Sequence, residues 1–247
     1  MTGLNIDRNH YLTLSVIYNA ALKFSPFRQN ARKLVRRDFF TSQIVKDELT
    51  NIIPRRKTIY RKILIDLFPE GGNNPCVNKA PIDFVACYRV GTTDHYSDDT
   101  HLKILYEGVI DGLGLSIAQK MNTNQADQFR RQLVYAIKNN KVELSMVYFK
   151  LISKEEMLIK YDDETIVDKV HKKIRSFISQ PEKRKIDLRI ISECLTHATY
   201  GGVESVIVGA EDDIFEITTS TKILDGIKSI LGYDTQHLEM RHVSNMY

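Results

Sequence analysis

Acidic side chains at two points of the stretch 184–215 could do chemistry together. Asp187 opens a segment in which Leu188, Ile191, Cys194, Leu195 and Ala198 recur at helical spacing. Gly201-Gly202 supplies a stop, and 203–208 is a short run rich in β-branched residues, as a buried strand is. Glu211, Asp212 and Asp213 follow at once. The unit reads as helix, turn, strand, loop. An acid at a helix start and acids just past a parallel strand can meet at the carboxyl edge of a sheet, where open α/β sheets put their sites. Carboxylates packed together repel unless a cation neutralises them, so the pattern nominates an Mg²⁺ or Mn²⁺ site. The same acids have plainer duties open to them, at a helix dipole or in a solvated loop.

The rest of the chain must position these acids. Leu4-Asn5-Ile6 reads as a first strand with Asp7 at its carboxyl end, followed by a helix over 11–22. Ser25-Pro26 opens a second, basic helix over 27–37 that bears Arg28, Arg32 and Arg36. Phe39-Phe40-Thr41 looks like a second strand, and Ser42 caps a helix that carries Glu48 and ends near Asn51 and Pro54. A further amphipathic helix carries Arg55, Arg56, Lys57 and Arg61 over an apolar face of Ile59, Ile63, Leu64 and Leu67. Residues 69–75, rich in Gly, Asn and Pro, form the clearest loop. Residues 84–90 could be a strand, and helical patterns follow at 101–120, 124–139 and 142–153, the second carrying Arg130, Arg131 and Lys138. A charged helix around 163–179 leads back to Asp187. After it come a last helix over 217–231, stopped by Gly232, and an edge strand over 237–243.

Composition narrows the classes. With 247 residues, 43% apolar and 27% charged, the chain suits an ordinary soluble globular protein of one large domain or two small ones. No apolar run is long enough to span a bilayer, and the first residues read as neither signal nor transit peptide. Cys76, Cys87 and Cys194 are scattered without paired spacing, which fits a reducing, cytoplasmic setting and argues against structural zinc. A net charge of +4 permits a polyanionic partner without demanding one.

Taken in order, four segments resemble the PIN-domain family of metal-dependent nucleases. Ile6-Asp7-Arg8-Asn9 is similar to its Asp-x-Asn opening, and Ser42-Gln-Ile-Val-Lys-Asp-Glu48-Leu to its Ser-x-x-Val-x-x-Glu-Leu helix. Asp187-Leu-Arg-Ile is similar to its Asp-x-x-Ile helix, and Val206-Ile-Val-Gly-Ala-Glu211-Asp212-Asp213-Ile to its strand followed by Thr-x-Asp-x-Asp-Phe. The resemblance covers roughly 3–68 and 180–243. It implies an α/β fold: a three-layer α/β/α PIN-like domain with a mainly parallel central sheet over 1–75 and 180–247, and an inserted helical subdomain over 76–179. It implies a divalent-metal-dependent endoribonuclease cleaving single-stranded RNA, with Mg²⁺ or Mn²⁺ held by Asp7, Asp187 and Glu211. Glu48 would act on a second metal or through water, Asp213 would join the metal edge, and Asn9 and Ser42 would orient ligands from behind. Arg28, Arg32, Arg36, Arg55 and Arg56 would track the RNA backbone.

The chain departs from the family in three ways. Glu211 stands where an Asp is usual, Gly209 replaces a Thr, and the gap between Glu48 and Asp187 is long. The first two favour a second reading: a PIN-like module weakened in metal binding that serves as an RNA-binding or protein-interaction scaffold. A third is an unrelated α/β domain whose acids are capping and solubility residues. An inhibitory protein partner and a homo-oligomer both stay open; a membrane partner is not expected.

Overall fold

The computed structural model describes residues 8–68, 80–88, 96–116, 120–161, 163–232 and 234–246. The expected strand at Leu4-Asn5-Ile6, and Asp7 after it, lie outside these. The described elements are β1 (Asn9–Leu12), α1 (Leu14–Ala21), α2 (Arg28–Arg36), α3 (Gln43–Leu67), α4 (Pro81–Tyr88), α5 (Tyr96–Gly112), α6 (Thr123–Ser153), α7 (Glu164–Arg175), α8 (Lys185–Gly201), β2 (Ser205–Gly209), α9 (Ile217–Leu231) and β3 (Leu238–His242). The chain is a mixed α/β structure, mostly helical with a small parallel sheet.

Two compact units emerge. The first takes Met1–Ala20, Gln29–Glu48 and Val147–Tyr247, and the second Ala21–Arg28 and Leu49–Met146. Borders between them fall inside α3 and α6, helices that run unbroken past the stops the sequence suggested near Pro54 and between 139 and 142.

In the first unit the strand order is β1-β2-β3, all parallel, with Tyr11 level with Ile207 and Ile207 level with Met240. Phe40 extends the sheet beyond β1: the Leu12 N–H donates to its carbonyl at 2.9 Å, and its own N–H donates to His10 at 2.7 Å. Thr41 is bridged in turn to Leu158, again parallel. β2 is buried along its whole length, which explains its run of Val and Ile. α8 packs on β2 and α7, and α7 packs on α9. Leu188, Ile191, Cys194 and Leu195 supply the buried face of α8, as their spacing predicts. The helix ends at Gly202, whose φ of 60° is the left-handed conformation glycine adopts freely.

The second unit is helical. Ile59, Ile63 and Leu67 of α3, Phe84 and Tyr88 of α4, Leu102 and Tyr106 of α5, and Phe129 and Leu133 of α6 share one core. The strand expected at 84–90 is helical where it is described: Pro81 opens α4, and Phe84, Val85 and Tyr88 meet on one helical face. α3 passes straight through Pro54, and that proline is solvent-exposed. The helices expected at 124–139 and 142–153 are one, α6. The Asn-Asn-Lys between them does not break it, since Asn140 points inward and accepts a hydrogen bond from the Tyr60 hydroxyl.

Candidate functional site

Two acids from the organising stretch meet at the carboxyl edge of the sheet. Asp187 lies in the first turn of α8, half-buried. Glu211 lies two residues past β2 and is 8% exposed. The loop that carries it folds back on itself, with the Ile214 and Phe215 N–H groups donating to the Glu211 carbonyl at 3.2 and 3.1 Å. Its Oε2 accepts from the Ala210 N–H at 3.0 Å, and Oε1 is buried without a donor. Burial, then the neighbouring Asp187 charge, push the Glu211 carboxyl up to about 7, against a smaller lowering by hydrogen bonds that include one from Ser15. Asp187 is raised too, mainly by burial; Arg184 opposes this and Asp213 adds to it. Arg184 Nη2 lies 2.7 Å from Asp213 Oδ1 and so neutralises the third acid. Asp212 points to solvent, with His242 Nε2 at 3.1 Å.

The strand that faces these acids ends differently from the expectation. β1 runs Asn9–Leu12, so the residue leaving its carboxyl end is Thr13, a buried hydroxyl 2.9 Å from Ser15 Oγ. Ser15 Oγ also accepts from the Ala210 N–H at 3.1 Å, joining α1 to the loop of Glu211. Residues 11–12, expected to begin a helix, are strand instead, paired to Ile207 and Val208.

Other expected site residues are placed elsewhere. Asn9 is level with Ser205 at the amino end of the β1–β2 ladder, the opposite edge from Glu211, and cannot orient a ligand there. Ser42 does cap α3, accepting from the Ile44 N–H at 3.1 Å, but its hydroxyl donates to Glu193, not to either acid of the pair. Glu48 is half-buried in α3. Among the described residues no group of three or more His, Cys, Asp or Glu is arranged to hold a metal ion. Of the four carboxylates expected to converge, Asp187 and Glu211 are brought together, and Asp7 lies outside the described residues.

The basic set also changes. Arg56 is 1% exposed and cannot reach a nucleic-acid backbone. Arg28 is held by Asn139 at 3.1 Å and faces Glu143 at 3.9 Å. Arg32 and Arg55 are half-buried, and Arg36 is exposed.

Sequence reasoning missed one cluster of charge. Glu193, 3% exposed, accepts from Ser42, from the Tyr161 hydroxyl at 3.0 Å and from Arg189 Nε at 3.0 Å. Arg189 also holds Asp168 at 2.5 Å and Glu164 at 3.0 Å. The signal was present: Arg189 and Glu193 are four apart on α8, and Glu193 shares the buried helix face with Leu188, Ile191 and Leu195.

Among the described residues no helix is long and apolar enough to cross a membrane. No family model matches the chain, and neither does any curated protein or solved structure.

Proposed function

We propose that the first unit is a PIN-like module that binds one divalent cation, Mg²⁺ or Mn²⁺, at its carboxyl edge and hydrolyses phosphodiester bonds of single-stranded RNA. The observation that carries this reading is the Asp187–Glu211 pair. Its donor set fits the ion: Mg²⁺ is commonly held by one or two carboxylates and keeps several waters. The orphaned Oε1 of Glu211 and the raised proton affinity of both acids mark a site short of positive charge. When bound, the cation would polarise a phosphoryl oxygen and lower the pKa of a bound water. The chain's own part is positional. Ser15 and the Ala210 N–H fix the Glu211 carboxylate, and Arg184, itself paired with Asp213, partly offsets the raised proton affinity of Asp187.

The second reading, a metal-weakened RNA-binding or protein-interaction scaffold, is favoured by Thr13 at the end of β1 and by the capture of Asp213 by Arg184. One experiment separates them. Thermal melting with added Mn²⁺ or Mg²⁺ should raise the wild-type melting temperature, and the same preparation should cleave labelled single-stranded RNA. Both effects should vanish in Asp187→Asn, which removes a charge and keeps the shape. A wild type that neither responds to metal nor cleaves would favour the scaffold reading; cleavage undiminished in Asp187→Asn would place the chemistry elsewhere.

A further inference from the structure

We propose that the second unit carries its own groove for single-stranded nucleic acid, built on the outer face of α6 beside the end of α3. It shares with the reading above only the class of ligand. The groove has a volume of about 490 Å³ and includes Phe68, Arg130, Arg131, Tyr135 and Lys138 in its walls. Among the described residues that line it the one acid, Asp127, is taken by Arg130 at 2.7 Å, and Arg131 and Lys138 add positive charge. Phe68 is 65% exposed and Tyr135 is 58% exposed, costly positions for large rings that serve no core. Lys23 adds a further cation: its ammonium lies 4.2 Å from the Tyr135 ring centroid and 3.2 Å from the Gln132 amide oxygen.

Positions 127, 131, 135 and 138 follow one helical face, over a rise of about 16 Å. Along it Arg131 and Lys138 flank the Tyr135 ring, after Asp127, which Arg130 holds; Phe68 adds a second ring from the end of α3. A single strand offers the matching pattern, phosphates along one side and a π-face on every base. An acidic peptide would satisfy the cations and leave both rings in water. A duplex hides its base faces and would use the cations alone. The pattern of partners thus selects an unpaired strand.

The test uses the full chain in excess EDTA, so that neither cleavage nor cation binding enters. Fluorescence anisotropy of a short fluorescein-labelled oligouridylate should show salt-dependent binding. Tyr135→Leu and Phe68→Leu should each weaken it roughly tenfold, the loss expected of one stacked base, and Tyr135→Phe should retain it. Arg131→Gln and Lys138→Gln should each lower the slope of log affinity against log salt by about 0.7. These side chains are exposed, so circular dichroism should be unchanged. Absence of binding by the wild type overturns the proposal, as does binding indifferent to Tyr135→Leu. Equal competition by polyglutamate of matched charge also overturns it, since an acidic partner would then suffice. Loss of metal-dependent cleavage with this binding intact would count against the cation site alone.

Discussion

Glu211, buried just past β2, has its proton affinity raised by that burial and then by the Asp187 carboxylate on the first turn of α8. Folded Glu211 therefore keeps its proton to a higher pH than the unfolded chain does. Its contribution to stability is complete below about pH 4.5 and is lost as pH rises through about 7. Glu211→Gln should make metal-free protein more stable than wild type at pH 8, by on the order of 3 kcal/mol, and the advantage should shrink towards pH 4.5. Urea melts of both proteins in EDTA across that range check this. A gap that does not change with pH would mean that Glu211 ionises normally.

Thr13 follows β1 at the carboxyl edge, and its hydroxyl is linked through Ser15 to the loop that carries Glu211. Thr13→Asp should add a third acid to the pair. Without metal it should destabilise, because a buried charge joins two others. With Mn²⁺ it should bind more tightly than wild type, by about tenfold or more, read by calorimetry. Unchanged affinity would separate the end of β1 from the ion.

Gly209 is required by close approach. A Cβ there would run into the Phe215 ring and into Glu211 Oε2. Gly209→Ala should cost about 2 kcal/mol or more by overpacking, and should also displace the Glu211 carboxylate. Urea melts supply the first quantity and Mn²⁺ affinity the second.

Ser42 serves α3 and Glu193 together. Ser42→Ala should cost about 2 kcal/mol, combining a lost cap with a poorer set of donors for a buried carboxylate. Ser42→Thr keeps the hydroxyl and should recover most of it. A melt of Ser42→Ala that matches wild type would show that Tyr161 and Arg189 hold Glu193 unaided.

The sequence alone determined the elements whose signals are local. α8, β2, α9 and β3 are set by helical spacing, glycine stops at Gly202 and Gly232, and a β-branched run, and the observed spans lie close to the expected ones. Asp187 and Glu211 were legible for the same reason: each sits at an end of such an element. Tertiary structure decided what local signals leave ambiguous. Tyr11 and Leu12 read as the start of a helix, and pairing with Ile207 and Val208 made them strand. That choice puts Thr13 at the carboxyl edge and sends Asn9 to the opposite one. Arg56 carries a charge and reads as exposed. Yet it shares the spacing of Ile59, Ile63 and Leu67, and packing of that face against α4, α5 and α6 buries it. A side chain's type sets its preference for water; the face of the helix on which it falls, and what packs there, settles whether it keeps it.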